Sequence, residues 1–492
     1  MSREIELKLD LGPGSHERVR SSQPLAGAEA KSTPQLSIYY DTKDGRLAEQ
    51  GCSLRVRRTG NAWVQTLKQS TAAGGLVDRG EWDWAVEGDT PELEKLEELP
   101  LDLGVPIAKL ERKLRPILRS EVERTSWQLE HGGSRVQVDL DVGSLQADER
   151  RAGIEEVEFE LLDGPASAVI DLARAVAADL PARLGVLSKA ERGAALVGGK
   201  LGQPAKATPL SLKEGMTVAE AFSAIVHACL KHFRLNEDLV IDGRNAVALH
   251  QARVALRRLR SAFTLFKPVI GEDTRYLELR EELRWFTNQL GDARNLDVYL
   301  QRDLPSSERA AAEARREQAY DSVIEAMQDQ RSRLLIIDLT GWVALGDWRD
   351  ASRAARPVRA FAGKRLDKLW ATVDPTGRSL ARMDEESRHQ LRIQVKKMRY
   401  AVEFFDALYP RSKARKRFGT AIEFLQEALG KLNDLATART LAASDGTEWW
   451  QEQSDELQHL RDAESALRDL QRAGPFWRSD DAPKNASAAV AS

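Results

Sequence analysis

The chain begins "SREIELKLD", where Glu4, Glu6 and Lys8 alternate with Ile5, Leu7 and Leu9. Successive side chains of a strand point to opposite faces, so this pattern predicts a half-buried strand carrying a charged row. The same short alternation recurs in "QLSIYYDT", "GCSLRVRR", "AWVQTLKQ", "RGEWDWAV", "PILRSEVERTSWQL", "SRVQVDLDVG" and "IEEVEFEL". Turn-forming clusters such as "TGN", "AAGG" and "EHGG" separate these runs. Short strands in hairpin-like series predict an antiparallel sheet closed, or nearly closed, on itself. "DTPELEKLEEL" and "PIAKLERKL" read as helical insertions, and a helix is expected over 165–179, followed by "LSKAERGAALV".

The pattern changes after "GGKLGQPAKATPLSLKEG", whose Gly, Pro and Lys content marks a boundary. Beyond it the apolar period becomes helical. Thr217 is placed to cap a helix with Phe222, Ile225, Cys229 and Phe233 on one face. The expected organisation is a domain over 1–200, a linker over 201–214, a helical domain over 215–475, and a disordered polar tail over 476–492. The helical half repeats. "HQARVALRRLRSAFTLF" from His250 matches "HQLRIQVKKMRYAVEFF" from His389, and "LGDARNL" from Leu290 matches "LGKLNDL" from Leu429, both at an offset of 139 residues. One shared offset predicts two related helical units.

Composition narrows the classes. At 492 residues, 42% hydrophobic and 30% charged, the chain reads as a soluble globular protein with room for two or three cores. Its 73 basic and 76 acidic residues leave a formal net charge of -3, so any affinity for a polyanion must come from local clustering. Cys52 and Cys229 stand far apart in apolar surroundings and suggest neither a disulfide framework nor a thiolate metal site. With no apolar leader and no membrane-length run, the expected location is the cytoplasm.

The strands then pose a chemical question. Arg55 and Arg57 share a face, Asp139 and Asp141 share another, and Glu156, Glu158 and Glu160 a third. For one strand, a solvated face explains such a row. Together the strands suit something else. Adjacent carboxylates repel unless a hard divalent cation neutralises them, and arginine pairs match the planar geometry of phosphate oxygens. A sheet with both sets inside would hold a metal and a polyanion together, as phosphoryl hydrolysis requires.

Glu4-Ile-Glu6-Leu-Lys8 resembles the ExExK signature of the CYTH, or triphosphate tunnel metalloenzyme, family. In family order follow "YYDT" at 39–42, "SLRVR" at 53–57, "TLK" at 66–68, "RGEW" at 79–82, "RTSW" at 124–127, "DVG" at 141–143, "EEVEFEL" at 155–161 and "SKAERG" at 188–193. The resemblance implies an α+β start: an eight-stranded antiparallel β tunnel with flanking helices. It also implies a divalent metal, Mg²⁺ with Mn²⁺ as the alternative, and hydrolysis or rearrangement of a triphosphate. Carried over by position, Glu4, Glu6, Glu156 and Glu158 would hold the metal, with Asp141 as supporting ligand or base. Lys8, Arg55, Arg57, Lys68, Arg124 and Lys189 would grip phosphate oxygens. Arg112 and Arg119 are further basic candidates, and Glu160 has the parity of a site residue or a structural one.

On the later helix, His250, Arg253, Arg257 and Arg260 follow i, i+3, i+7 and i+10, and so share a stripe. His389, Arg392, Lys396 and Arg399 repeat it, flanked by Arg258 and Lys397, and no acidic residue interrupts either row. A solvated helix face is the plain alternative. This half resembles the CHAD domain, which implies an all-α fold of two pseudo-symmetric helical bundles binding inorganic polyphosphate through these rows. The combined expectation is an inorganic triphosphatase, hydrolysing triphosphate to diphosphate and phosphate, joined to a polyphosphate-binding domain and able to associate with polyphosphate granules. Three alternatives stay open: a thiamine or nucleoside triphosphatase or an adenylate cyclase on the same tunnel; a non-catalytic granule-targeting protein; and a nucleic-acid binder, disfavoured because the rows lack interleaved aromatics for stacking. Oligomeric state is left open.

Overall fold

A computed structural model describes residues 2–70, 77–97, 99, 101, 103, 106–373, 380–444 and 453–478. Nine strands form one antiparallel sheet: β1 (Ser2–Asp10), β2 (Lys31–Thr42), β3 (Cys52–Thr59), β4 (Ala62–Ser70), β5 (Val77–Val86), β6 (Leu114–His131), β7 (Ser134–Ala147), β8 (Arg150–Asp163) and β9 (Arg183–Leu184). The order is β5-β4-β3-β2-β6-β7-β8-β1-β9, with a further pairing of β5 to β1 that brings the far edge back onto the first strand. The expected eight strands are thus present. The ninth is a two-residue addition, which pairs with Leu9 and Asp10 on β1.

The sheet turns its apolar residues outward. Leu7 and Leu9 of β1, Val138 and Leu140 of β7, and Val157 and Phe159 of β8 are buried with Val169, Leu172, Ala173 and Val176 of the helix Ser167–Asp179. Leu54, Val56 and Leu67 form a second cluster with Leu47, Leu96 and Leu110. The two expected helical insertions shrink to single turns there, Leu93–Leu96 and Ile107–Leu110. Burying the outer face leaves the alternate, charged positions facing one another across the interior, reversing the usual inside-out rule.

Two glycines permit close approaches that position the site. A Cβ on Gly143, in "DVG", would lie 2.0 Å from the Glu121 carbonyl oxygen, and one on Gly193, in "SKAERG", 2.2 Å from the Leu118 side chain. Neither site has room for a larger residue. Gly193 lets the helix Lys189–Val197 settle onto the sheet, where Ser188 and Glu191 close a capping box at its start.

From Val218 onward the described chain is helical. Thr217 does cap the first of these helices, Val218–Gly243, in a capping box with Glu220, and Phe222, Ile225, Cys229 and Phe233 are fully buried. The repeat is visible in the element order. The helices Ala246–Ile270 and Glu385–Phe405 carry the two basic rows, and each is followed by a helical segment holding its "LG" motif. One apolar core runs from the outer face of the sheet through both helical units. Within the tail expected over 476–492, Phe476–Arg478 instead form a 3-10 turn, with Phe476 and Trp477 buried against Phe418. Residues 479–492 lie outside the described residues. No helix among the described residues is long and apolar enough to cross a membrane.

Candidate functional site

Strand register stacks the interior charges in layers. Opposite one another across β1 and β8 are Asp10 and Glu156, Lys8 and Glu158, and Glu6 and Glu160. Across β7 and β8 the facing pairs are Asp141 with Glu156, Asp139 with Glu158, and Gln137 with Glu160, while Arg124 of β6 faces Asp141. Facing this acidic wall, β3 contributes Arg55 and Arg57, β4 Lys68 and β5 Glu81 and Asp83 to the lining of a cavity of about 930 Å³.

The deepest layer is neutralised by the protein itself. Oxygens of Asp141, Glu156 and Glu158 converge within 4.8 Å of one another. The Lys189 ammonium sits among them, 2.7 Å from Asp141, 2.5 Å from Glu156 and 2.9 Å from Glu158. Arg124 makes a two-pronged contact with Asp141, at 2.7 and 2.6 Å, and also reaches Asp139 and Glu158 at 2.6 Å each. Burial alone would raise the three carboxyl pKa values. Lys189 leads the cations that together outweigh it, with Arg124 acting at Asp141 and Glu158 and Lys8 at Glu156 and Glu158, so all three stay below the usual carboxylate range. Burial pulls against the Lys189 ammonium, but the same three carboxylates hold its pKa well above the ordinary value.

Glu156 is fully buried and meets Lys8 at 3.2 Å, Lys189, and Arg192 at 3.4 Å. Asp141 is likewise buried, paired with Arg124 and Lys189. Both belong to the acidic group, with Glu158, whose oxygens lie close enough to share a metal. Lys8 also donates to the Leu187 carbonyl.

The outer layer is different. Glu6 and Glu160 stand directly opposite, an arrangement that destabilises a ladder unless a positive charge intervenes. Burial pushes the Glu160 carboxyl up, Glu6 adds to the rise, and Lys68 counters it. Nearby, Asp139 Oδ1 is buried with no hydrogen-bond partner among the described residues. Among the described residues the carboxylates whose oxygens converge closely enough for a metal are Asp141, Glu156 and Glu158, and Glu6, Glu160 and Asp139 stand nearby as further oxygen donors of the kind a hard divalent cation takes. The Glu4 backbone faces Arg79 in the β1–β5 pairing, and its side chain lies outside the described residues.

Across the cavity, Lys68 lies 3.0 Å and Arg55 3.8 Å from Glu81. Arg57 hydrogen-bonds Ser37 at 3.1 Å, and burial followed by repulsion from Arg55 and Arg124 lowers its pKa to about 9. A guanidinium under such pressure gains from an incoming anion. Arg112 and Arg119 are exposed outside the cavity, Arg119 against Glu121 at 2.7 Å, and Arg115 of the same run lines the cavity instead. Trp82 and Trp84, whose rings might have caged a base, pack with Trp63 on the outer cluster, so Tyr39 and Tyr40 are the aromatic lining among the described residues.

In the helical half the two rows partly converge. Burial, then Arg294, Arg257, Arg253 and His232, lowers the His250 pKa to about 4; burial, then Arg257 and Arg294, lowers that of Arg253 to about 10. Lys396 falls to about 7 through burial and then Arg392 and Arg257. Arg253 Nη1, Arg257 Nε, Arg392 Nε and His232 Nδ1 are buried without hydrogen-bond partners among the described residues. The remaining members go elsewhere. Arg258 is buried 2.7 Å from Glu403, which also meets Arg399 at 3.7 Å, and Arg399 donates to Gln426 at 2.6 Å. Arg260 sits near Arg280, Glu281 and Arg284, and Lys397 is half-buried. His389 is exposed and contacts Asn433 at 3.1 Å in a cavity of about 440 Å³ that also holds Glu385, Glu386 and Glu456. Helical spacing put eight residues in two stripes with Arg258 and Lys397 flanking; packing makes a cluster of His250, Arg253, Arg257, Arg392 and Lys396. Arg294 of "LGDARNL" joins them and had been read only as part of a repeat. Glu81, Asp83 and Arg192 were also missed, although their alternation or proximity to Lys189 in "RGEWDW" and "SKAERG" was a usable signal.

Comparison with known proteins matches the CYTH domain over residues 2–194 and the CHAD domain over residues 224–443. An inorganic triphosphatase of Haemophilus influenzae is 32% identical over 199 residues, covering 39% of this chain and 54% of that protein, about half its length. A CHAD domain structure from the plant Ricinus communis shares 30% identity at a TM-score of 0.45, covering 56% of this chain and 93% of the other. The Hippeastrum protein HpAC1, for which a dominant triphosphatase activity is recorded, shares 20% identity at a TM-score of 0.30, covering 40% of this chain and 97% of the other.

Proposed function

We propose, for a chain that belongs to the CYTH family through its strand-built half and to the CHAD family through its helical half, the metal-dependent hydrolysis of inorganic triphosphate to diphosphate and phosphate. The carrying observation is one cavity with a facing acidic pair, Glu6 and Glu160, on one wall and the Arg55–Arg57 pair on the other. Glu4 and Glu6, with Glu158, Glu160 and Asp139, would hold Mg²⁺, with Mn²⁺ as an alternative. When bound, the metal supplies charge neutralisation at the phosphoryl oxygens and orders an attacking water. Arg55, Arg57 and Lys68 grip the phosphate chain. Lys8, Arg124 and Lys189, held by Glu156 and Asp141, form a charged floor whose cations are already oriented toward the substrate.

Trp63, Trp82 and Trp84 face away from the cavity and support an inorganic substrate, while Tyr39 and Tyr40, which line it, are the rings an organic substrate would use. Phosphate release from tripolyphosphate with Mg²⁺, beside ATP and thiamine triphosphate, tests this. Preferential turnover of either organic substrate defeats the reading. The helical half binds inorganic polyphosphate at the His250–Arg257–Lys396 cluster. Its unpartnered, desolvated N–H groups support this, since burying such donors costs about 1–3 kcal/mol each unless an acceptor arrives. Competition between polyphosphate and DNA for the full chain is expected to favour polyphosphate.

A further inference from the structure

The floor of the tunnel does not end at the sheet. Arg192, on the helix that begins with Lys189, reaches Glu156 at 3.4 Å and Asp10 at 2.7 Å through the same Nη2. Asp10 in turn lies 3.8 Å from Nη2 of Arg234, which belongs to the first helix of the helical domain, Val218–Gly243. Arg234 is nearly sealed from water, at 3% side-chain exposure. It is fixed by donating to the Leu184 carbonyl of β9 at 2.8 Å and by an ion pair with Glu237. Leu184 pairs with Leu9, and Arg183 pairs with Asp10, so the strand that Arg234 grips is laid directly beside the end of β1. One turn earlier, Lys231 holds Glu191 at 2.6 Å, and Glu191 is the residue that closes the capping box in front of Lys189.

Two routes therefore run from one helix of the helical domain to the cationic floor: Arg234–Asp10–Arg192–Glu156, and Lys231–Glu191–Ser188 to the start of the Lys189 helix. We propose that Arg192 is a positioning residue for the tunnel's hydrolytic reaction, locked in place across the domain boundary by Arg234, so that the helical domain forms part of the catalytic unit. This rests on the triphosphatase reading. Glu156 must divide its two oxygens among Lys8, Lys189 and Arg192, and the third of these is also held by Asp10, which lies beside Arg234. Small displacements of a preorganised floor cost rate more than binding, because the floor contributes most when charge develops.

The test uses the full chain and tripolyphosphate with Mg²⁺. Arg192→Gln should lower kcat on the order of tenfold with KM changed less than about twofold, and Arg192→Lys should recover part of the loss. Arg234→Lys, which keeps a charge beside Glu237 but loses the fork, should lower kcat by a smaller factor. The double variant should be no slower than Arg192→Gln alone, because both changes break one chain of contacts. Melting temperatures of all variants accompany the kinetics, and Asp10→Asn, an isosteric change at a partly exposed site, serves as a second probe if Arg234→Lys fails to fold. Multiplying kcat losses in the double variant, or an unchanged kcat in Arg192→Gln and Asp10→Asn, would overturn the positioning role while leaving the triphosphatase reading intact. A wild-type chain that releases no phosphate from tripolyphosphate would overturn both.

Discussion

The tunnel floor and the helical cluster are both crowded with cations, and they treat them in opposite ways. Lys189 has three carboxylates within 3 Å and Arg124 has three as partners, so their pKa values are driven up. Burial and then like-charged neighbours push Lys396 down to about 7 and Arg253 down to about 10. The first arrangement is complete in itself and rigid. The second is under repulsion, which an incoming anion would relieve. A buried ion pair costs most when one partner is removed, whereas a strained like-charge cluster is relieved by the same removal. The two halves should therefore answer the same kind of substitution with opposite signs.

The largest effect is expected at the acidic pair. Glu6→Ala should lower phosphate release from tripolyphosphate by on the order of a thousandfold, because a metal's stabilisation of phosphoryl charge is worth several kcal/mol. Polyphosphate retention by the same variant should match the wild type. Substantial residual hydrolysis would remove Glu6 from the metal set. Next comes Lys189→Met. It leaves Asp141, Glu156 and Glu158 facing one another in a buried site, a loss on the order of 3–5 kcal/mol of stability measured by denaturant unfolding. The sign with pH is fixed by the carboxylates. In the wild type their depressed pKa values contribute stability above the ordinary carboxylate range that is lost as pH falls. In the variant that contribution is absent, so the gap between the two proteins should narrow on acidification.

How much of this was legible in the sequence follows from which contacts are local. Strand alternation is local, so the shared faces of Glu6 with Lys8, Arg55 with Arg57, and Glu156 with Glu158 could be read directly, whereas turning those faces inward required the strands to be taken together. Which carboxylate would be open and which sealed depends on Lys189 and Arg192, more than thirty residues from Glu156, and no spacing rule reports that. Helical period likewise placed Arg399 in its row and Arg258 beside the other, but Glu403 pairs with both. His250 and His389 matched by repeat, yet one is half-buried among arginines and the other exposed beside Asn433. Duplication preserves sequence position; the environment has diverged.

The helical cluster supplies the contrasting substitution. Arg257→Gln should weaken polyphosphate binding about tenfold or more, since a hydrogen bond to a charged group contributes about 1.5–3 kcal/mol. It should also reduce the salt dependence of binding by roughly one counterion. The same variant should melt no lower than wild type without polyphosphate, and higher if repulsion at Arg253, Arg392 and Lys396 is as strong as their depressed pKa values indicate. A marked destabilisation would show that Arg257 holds the fold and erase the contrast with Lys189.

The smallest effect is the most specific to this cluster. With its pKa near 7 instead of the ordinary 10.5, Lys396 loses its proton in the free folded protein as pH passes neutrality, while the unfolded chain keeps it. Across that interval the unfolded state binds more protons, so this group makes folding more favourable as pH rises from about 7 toward 10.5. Polyphosphate reverses the balance by stabilising the ammonium against Arg392, Arg257 and Arg253, with Asp434 already acting in the same direction. Binding at pH 8 should then take up a proton, and affinity should fall severalfold between roughly pH 7 and 8.5 as that uptake becomes harder. Calorimetry in two buffers of different ionisation enthalpy measures the uptake directly. Lys396→Arg keeps a cation that does not titrate in this range, so it should bind polyphosphate without the uptake and with a flatter pH dependence. Equal uptake in Lys396→Arg and wild type would mean that the proton belongs to another group, and that the strain in the cluster does not centre on Lys396.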